Sequence, residues 1–435
     1  MLEIFTIILT LILVSKYIEV RTNVSFVLIV LPLAFFVNHL FDLSVLKDNF
    51  QEILYVMLPI MLIPDILGLS SDELKKNELN IFFLAVVAVV LSILLAVGFT
   101  YYIDYFHNMP WSYLLLLFTP LMATDVVSVN AIFSKFTLPS NLKILAEGES
   151  LFNDITAMVI FFFIAIPLSN GADITPVSLV ALTFKTVLFS SILGFLFGYI
   201  GYISFTMARE GMSEFISVYL MAALAFLVAN KLELSAILSV VISILYFKYF
   251  FNKNGHYKKR RFLTHLFHLD IANIESQKTV RAYKKESQYL GFFANAVIFI
   301  SIASVIDLEL LWSYKNEILY IFVITTIIRY IVLFFFTNYK KLPISWANIL
   351  TLAGMKGGLA LIMIISLSDN FIYKEMFTAI ILGVIILSIL YIPLVLWDTY
   401  ILGRIKMMLN NLKKDKYYDE VIKNIRNKRV RRVEL

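Results

Sequence analysis

Residues 81–103 read IFFLAVVAVVLSILLAVGFTYYI, 23 positions without one charged side chain. A helix needs about 20 mainly apolar residues to cross the hydrocarbon core of a bilayer, and a helix satisfies its own backbone hydrogen bonds there. Two further stretches, 186–208 and 376–397, are equally free of charge. The chain therefore reads as an all-α polytopic membrane protein. Apolar segments at 4–19, 23–41, 50–68, 111–134, 141–169, 212–230, 232–250, 288–306, 317–339 and 344–368 bring the predicted spans to thirteen. The segments 212–230 and 232–250 are divided only by Lys231. The first segment opens with Glu3 and has no basic leader, so it is predicted to be a retained helix and not a cleaved signal.

Composition points the same way. Of 435 residues 60% are hydrophobic and 16% charged, against about 25% charged in soluble domains. A soluble globule of this make-up would expose large apolar patches, which argues strongly against a soluble enzyme, and a disordered chain is excluded. Cysteine is absent, which removes disulfide scaffolds, thiolate zinc sites and thiol catalysis. The five histidines form no HExxH motif and there is no Walker motif; no resident cofactor is predicted.

The net charge of +6 fits positive loops on the cytoplasmic side better than nucleic-acid binding. With the N-terminus outside, the inner loops hold Lys16 and Arg21, Lys75 and Lys76, Lys135 and Lys143, Arg209, the cluster Lys248 to Lys285, and Lys340 with Lys341. The outer loops keep only Lys47, Lys231, Lys315 and Lys374. Thirteen spans then leave the C-terminus and its basic tail in the cytoplasm. The polar stretch 252–287 and the tail read as solvated cytoplasmic segments, or as amphipathic helices touching anionic lipid or a regulator.

Ionisable side chains at membrane depth are costly and point to function. The set is small: Asp65, Asp125, Glu147, Glu149, Asp154, Lys185, Arg329 and Lys356. In 119–130, TPLMATDVVSVN, Pro120 removes a backbone donor, and Thr124 and Asp125 follow within the apolar stretch. A helix interrupted here would offer free carbonyls and amides, tolerated only where they line a cavity or are buried, as in the ion sites of many secondary transporters. A mild proline kink with Asp125 capping a half-helix fits the same residues. In 146–158, AEGESLFNDITAM, Ser150 and Asp154 are four residues apart, as are Glu149 and Asn153. Each pair shares a helix face, giving an oxygen-rich surface suited to a hard cation; a salt-bridged structural helix is the other reading. Arg329 is a lone basic residue in TTIIRYIVLFFF and needs a carboxylate, for which Glu149 is available. Lys356 stands among Gly354, Gly357 and Gly358, which suits either a second broken helix, with the lysine offsetting a half-helix end, or a glycine packing notch with a snorkelling lysine.

These runs resemble the monovalent cation:proton antiporter-1 family of sodium/proton exchangers. ATDVVSVNAIF and LKILAEGESLFNDITAMVIF look like its signature region, and LELSAILSVVISIL, FFANAVIFISIASVIDLEL, IIRYIVLFF and AGMKGGLALI follow in the family's order. The resemblance implies two inverted six-helix repeats, about 1–170 and 212–399, around a linker helix at about 176–206, with helices 5 and 12 broken and crossing. It implies a dimerisation domain in 1–77 and 211–310, a mobile core in 78–170 and 311–400, a linker in 171–210 and a basic tail in 401–435, in a homodimer of the cell membrane. It implies that Asp154 carries the ion and the proton, that Asn153, Ser150, Thr124 and Asp125 line or support the site, and that sodium sits at Asp154, Ser150 and Thr124. Glu149 and Arg329 match a structural ion pair. An asparagine before the key aspartate implies electroneutral exchange of one sodium or lithium ion for one proton; potassium/proton exchange, a cation channel and a non-transporting sensor are the rivals. The sequence departs from the family at three places. Val126 replaces a proline, and Lys356 replaces an arginine. In LIPDILG, Pro64 stands where the family has a glutamate and Asp65 follows one residue on, a turn of about 100° around a helix.

Overall fold

A computed structural model describes residues 2–391 except 23, 25, 42, 70, 125–138, 172–175, 209–210, 255–275, 355 and 369. The described residues are all helical, with no strand among them. Eight helices there are long and apolar enough to cross a membrane, and three more apolar helices are shorter.

The chain opens with α1 (Leu2–Thr22), α2 (Phe26–Leu40) and α3 (Phe50–Gly68). Next, α4 runs as Ser71–Phe82, a π turn over Phe83–Val87, and Ala88–Tyr102. Helix α5 (Trp111–Phe118) stops early. Pro120 cannot donate to the turn before it; the chain tightens into a 3₁₀ turn at Pro120–Met122, and Ala123 is extended (φ −63°, ψ 140°). The second half of that predicted span, with Asp125, lies outside the described residues. Helix α6 is Ser140–Ile160, a π turn at Phe161–Ala165, and Ile166–Ser169.

Then come α7 (Pro176–Met207), α8 (Gly211–Lys231) and α9 (Ala236–Asn254). The close pair α8 and α9 is separated by a true reversal: Glu233 takes a left-handed φ of 54°, and the Leu234 amide bonds back to Ala229 O at 2.9 Å, closing the helix end. Gly194 and Gly198 of α7 let the Ser239 and Ser243 carbonyls of α9 come so near that an added Cβ would lie 2.7 and 2.6 Å from them.

Helix α10 (Ser276–Val305) begins inside the polar stretch 252–287. No glycine or proline interrupts 276–290, so the charged residues of good helix propensity carry the apolar span back several turns. The rest of that stretch, 255–275, and the tail 401–435 lie outside the described residues. Helix α11 is Lys315–Tyr339, α12 consists of two halves, Ile344–Leu352 and Gly358–Ile365, and α13 is Lys374–Tyr391.

The interior positions the two interruptions. Helix α3 packs along α10, and the second half of α12 lies on the 3₁₀ turn after α5, which also touches α6. Pro64 of α3 fits over Gly291 of α10, where a Cβ would meet its ring at 2.5 Å. The glycines of AGMKGGLAL explain the break in α12: Gly357 is extended (φ −112°, ψ −175°) and the helix restarts at Gly358.

Candidate functional site

The extended backbone at Ala123 turns the Thr124 amide out of any helix ladder, and it finds a side chain. It donates to Asp154 Oδ1 at 3.0 Å. The same residue gathers three more bonds from α6. Asn153 Nδ2 donates to Thr124 Oγ1 (2.8 Å), Thr124 Oγ1 donates to Ser150 Oγ (2.8 Å), and Ser150 Oγ donates to the Thr124 carbonyl (3.0 Å). Helical spacing brings Ser150, Asn153 and Asp154 to this point together. All four residues are buried, with Asp154 at 6% the most exposed.

Each hydroxyl in this chain accepts one bond and donates one. A hydroxyl has two acceptor lone pairs, so Thr124 Oγ1 and Ser150 Oγ each keep one for a cation without breaking the network. Asn153 Oδ1 is also buried, with no hydrogen-bond partner among the described residues.

Glu149 lies one turn from Asn153 on α6 and is fully used. Its Oε1 accepts from Asn153 Nδ2 at 3.1 Å and its Oε2 from Arg329 of α11 at 2.9 Å. Arg329 also donates to Leu350 O, at 3.2 Å from one terminal nitrogen and 3.4 Å from Nε, satisfying a carbonyl left open where the first half of α12 ends. The guanidinium crosses Gly354, where a Cβ would lie 2.5 Å from Nε. Glu149 and Arg329 are thus brought together as an ion pair, which also ties α6 and α11 to the break in α12.

Lys356 is buried within that break, where it feels the charges of Arg329, Glu149 and Asp154. Asp65 lines the same cavity as Asp154 and Thr124. Here the structure accounts for the altered third helix: Pro64 is spent on packing against Gly291, and the next position turns toward the cavity. Of the remaining membrane-depth charges, Glu147 pairs with Lys143 at 3.6 Å and Lys185 is exposed on α7. Neither joins the cluster, and Asp125 lies outside the described residues.

The cavity measures about 30 Å³ and lies between α3, α10, the end of α5, α6 and the restart of α12 at Gly357 and Gly358. Its polar lining comes from Asp65, Thr124, Asp154 and Asn295. Sequence reading missed Asn295. The available signal was its isolation as a polar residue in the apolar run FFANAVIFI.

Comparison with known proteins gives a consistent picture. A family model described as "Sodium/hydrogen exchanger, transmembrane" matches residues 4–397. The chain is 26% identical over 359 residues to the Na(+)/H(+) antiporter ApNhaP of Aphanothece halophytica, covering 80% of this chain and 64% of that protein. It is 25% identical over 365 residues to the low-affinity Na(+)/H(+) antiporter NhaS1 of Synechocystis, with the same shares covered. The chain thus spans a little under two thirds of these relatives' length. In fold it is similar to the sodium proton antiporter MjNhaP1 of Methanocaldococcus jannaschii at pH 8, with a TM-score of 0.69 at 15% identity, over 89% of this chain and 98% of that one.

Proposed function

Because the chain belongs to the transmembrane sodium/hydrogen exchanger family, we propose that it exchanges one sodium or lithium ion for one proton across the cell membrane, with both competing for Asp154. The observation that carries this reading is a buried carboxylate at an unwound helix end, held by the Thr124 amide and facing a small cavity. Burying a carboxylate's charge is expensive, and either a proton or a cation at Asp154 offsets that cost, so the two compete for it. The cation is held by Asp154 and by the spare lone pairs of Ser150 and Thr124. Asn153 fixes the direction of the hydroxyl chain, Asp125 supports the site from the same segment, and Lys356 offsets the helix end at the break in α12. No resident cofactor is needed; the alkali cation and the proton are the substrates.

One-for-one exchange is the reading for a single carboxylate that alternates its partner: Glu149 is already held by Arg329 and Asn153, and Asp154 takes either one proton or one monovalent cation, so one charge crosses in each direction.

In this reading α4–α6 and α11–α13 carry the site as one body, α7 links the halves, and α1–α3 with α8–α10 form the scaffold of a homodimer. The N-terminus is outside and the C-terminus cytoplasmic. Alternating access of the body against the scaffold delivers whichever ion is bound. The test uses protein in vesicles loaded with a pH-sensitive dye. Sodium pulses should move protons in the wild type and not in Asp154→Asn. Sodium-dependent proton flux surviving in a folded Asp154→Asn overturns the site, flux that follows membrane potential overturns the 1:1 stoichiometry, and flux driven by potassium but not sodium overturns the ion assignment.

A further inference from the structure

The cavity beside Asp154 has a second wall, built from α3 and α10, and Asn295 stands in it. This side chain is 5% exposed and is surrounded along α10 by fully buried Ala294 and Ala296. It lines the cavity together with Asp154, Thr124 and Asp65. A carboxamide in an apolar helix is costly to bury unless it has a partner. A packing role alone would be served better by leucine, which matches its size and carries no polar atom.

We propose that Asn295 is a ligand of the transported alkali cation, reached from the opposite wall through its carboxamide oxygen. Three features of the site fit this role. The cavity, at about 30 Å³, holds one or two water-sized occupants, so a cation bound at Asp154 has no room for a full hydration shell and needs oxygens from the walls. The amide provides one without adding charge. Leu58, Leu62 and Ile298 make up much of the remaining surface and offer no oxygen.

The location adds a consequence, which rests on the exchange reading above. Asp154, Ser150 and Thr124 belong to the moving body, whereas Asn295 belongs to the scaffold. The cation therefore meets Asn295 only in the arrangement seen here, in which both walls line one cavity. Alternating access presents that arrangement to one face of the membrane, so Asn295 is a one-sided ligand: it raises cation affinity on that face and does not act on the other.

The experiment compares wild type, Asn295→Leu and Asn295→Asp in two ways. Sodium-dependent thermal stabilisation in detergent reads binding without requiring transport. Initial rates in inside-out and right-side-out vesicles read the half-saturating sodium concentration on each face. Loss of a hydrogen-bond-like contact to a charge is expected to raise that concentration roughly 10- to 100-fold in Asn295→Leu, on one face only. Asn295→Asp keeps the volume and supplies a stronger oxygen, so it should lower the concentration on the same face and remains informative if the leucine variant folds poorly. Unchanged half-saturation on both faces in folded variants overturns the proposal, and an equal rise on both faces overturns its one-sidedness. If the wild type fails to exchange ions yet sodium stabilises it and Asn295→Leu abolishes that effect, the exchange reading falls while the ligand assignment stands. If sodium neither stabilises the wild type nor moves protons, both fall.

Discussion

Replacing Arg329 by methionine is the most demanding test of the site's frame. Glu149 and Arg329 approach to 2.9 Å with side chains only 3% and 12% exposed. At an effective dielectric of about 20 two unit charges at that distance attract by about 6 kcal/mol, an upper bound before desolvation is subtracted. Removing one member of a buried pair costs about 3–5 kcal/mol in practice, because the other charge stays buried. Arg329→Met should fall in that range, with up to about 1 kcal/mol more from the long bonds to Leu350 O. Glu149→Gln keeps an acceptor for Asn153 and should therefore act mainly through the lost charge. In the double variant neither charge remains, and the total cost should fall short of the sum of the singles by at least about 2 kcal/mol. The assay is reversible unfolding in mixed detergent–SDS micelles, followed by tryptophan fluorescence, for all four proteins of the cycle. Additive losses within about 0.5 kcal/mol would refute the pairing argument. Wild-type stability of Arg329→Met combined with lost transport would move Arg329 out of the frame and into the ion's path.

Three further outcomes follow from the same geometry. Gly354→Ala places a Cβ 2.5 Å from Arg329 Nε, and since that guanidinium is held at both ends the variant should lose about 1–3 kcal/mol in the same unfolding assay. Lys248 of α9 donates to the carbonyls of Ile66, Leu67 and Leu69 at the end of α3; Lys248→Met should speed hydrogen exchange of the last turn of α3 and leave the α5–α6 site protected. Competition at Asp154 fixes the sign of the pH effect: as pH falls the proton occupies the carboxylate more often, so more sodium is needed. Half-saturating sodium should rise about tenfold per pH unit on the acid side, with the maximal rate at saturating sodium little changed, as measured by dye-reported flux across a pH series.

The sequence made the membrane class plain because charge is scarce in long stretches such as 81–103, and a few misplaced charges were easy to find against that background. Ser150, Asn153 and Asp154 could be joined by helix periodicity alone. Glu149 could be assigned to Arg329 because few buried cations compete for it. Other features were not legible, since each depends on which distant segment arrives next to it. Nothing local to Pro64 says that Gly291 will receive it, so the side of α3 on which Asp65 emerges could not be read from the sequence. Lys248 looked like an ordinary loop cation until the end of α3 was seen to need a donor. The two π turns leave no mark in apolar runs such as FLAVV and FFFIA, where one periodicity looks much like another. Asn295 was visible as an isolated polar residue, but its meaning came only with Asp154 across the cavity.

Those π turns bear on how this chain can change length. A π turn closes i→i+5 bonds and so holds one more residue than an α turn over the same rise. Deleting one residue within 161–165 would let α6 relax to a regular helix. With the extra residue gone, Ile166–Ser169 would keep its facing, and Glu149, Ser150, Asn153 and Asp154 would stay in register with Thr124. A deletion anywhere in 150–153 would instead break the four-residue spacings that join Ser150 to Asp154 and Glu149 to Asn153, and undo the site. Single-residue insertions and deletions along this helix should therefore be tolerated beyond Ile160 and purged before it, a pattern that comparison of gap positions among homologous sequences would reveal.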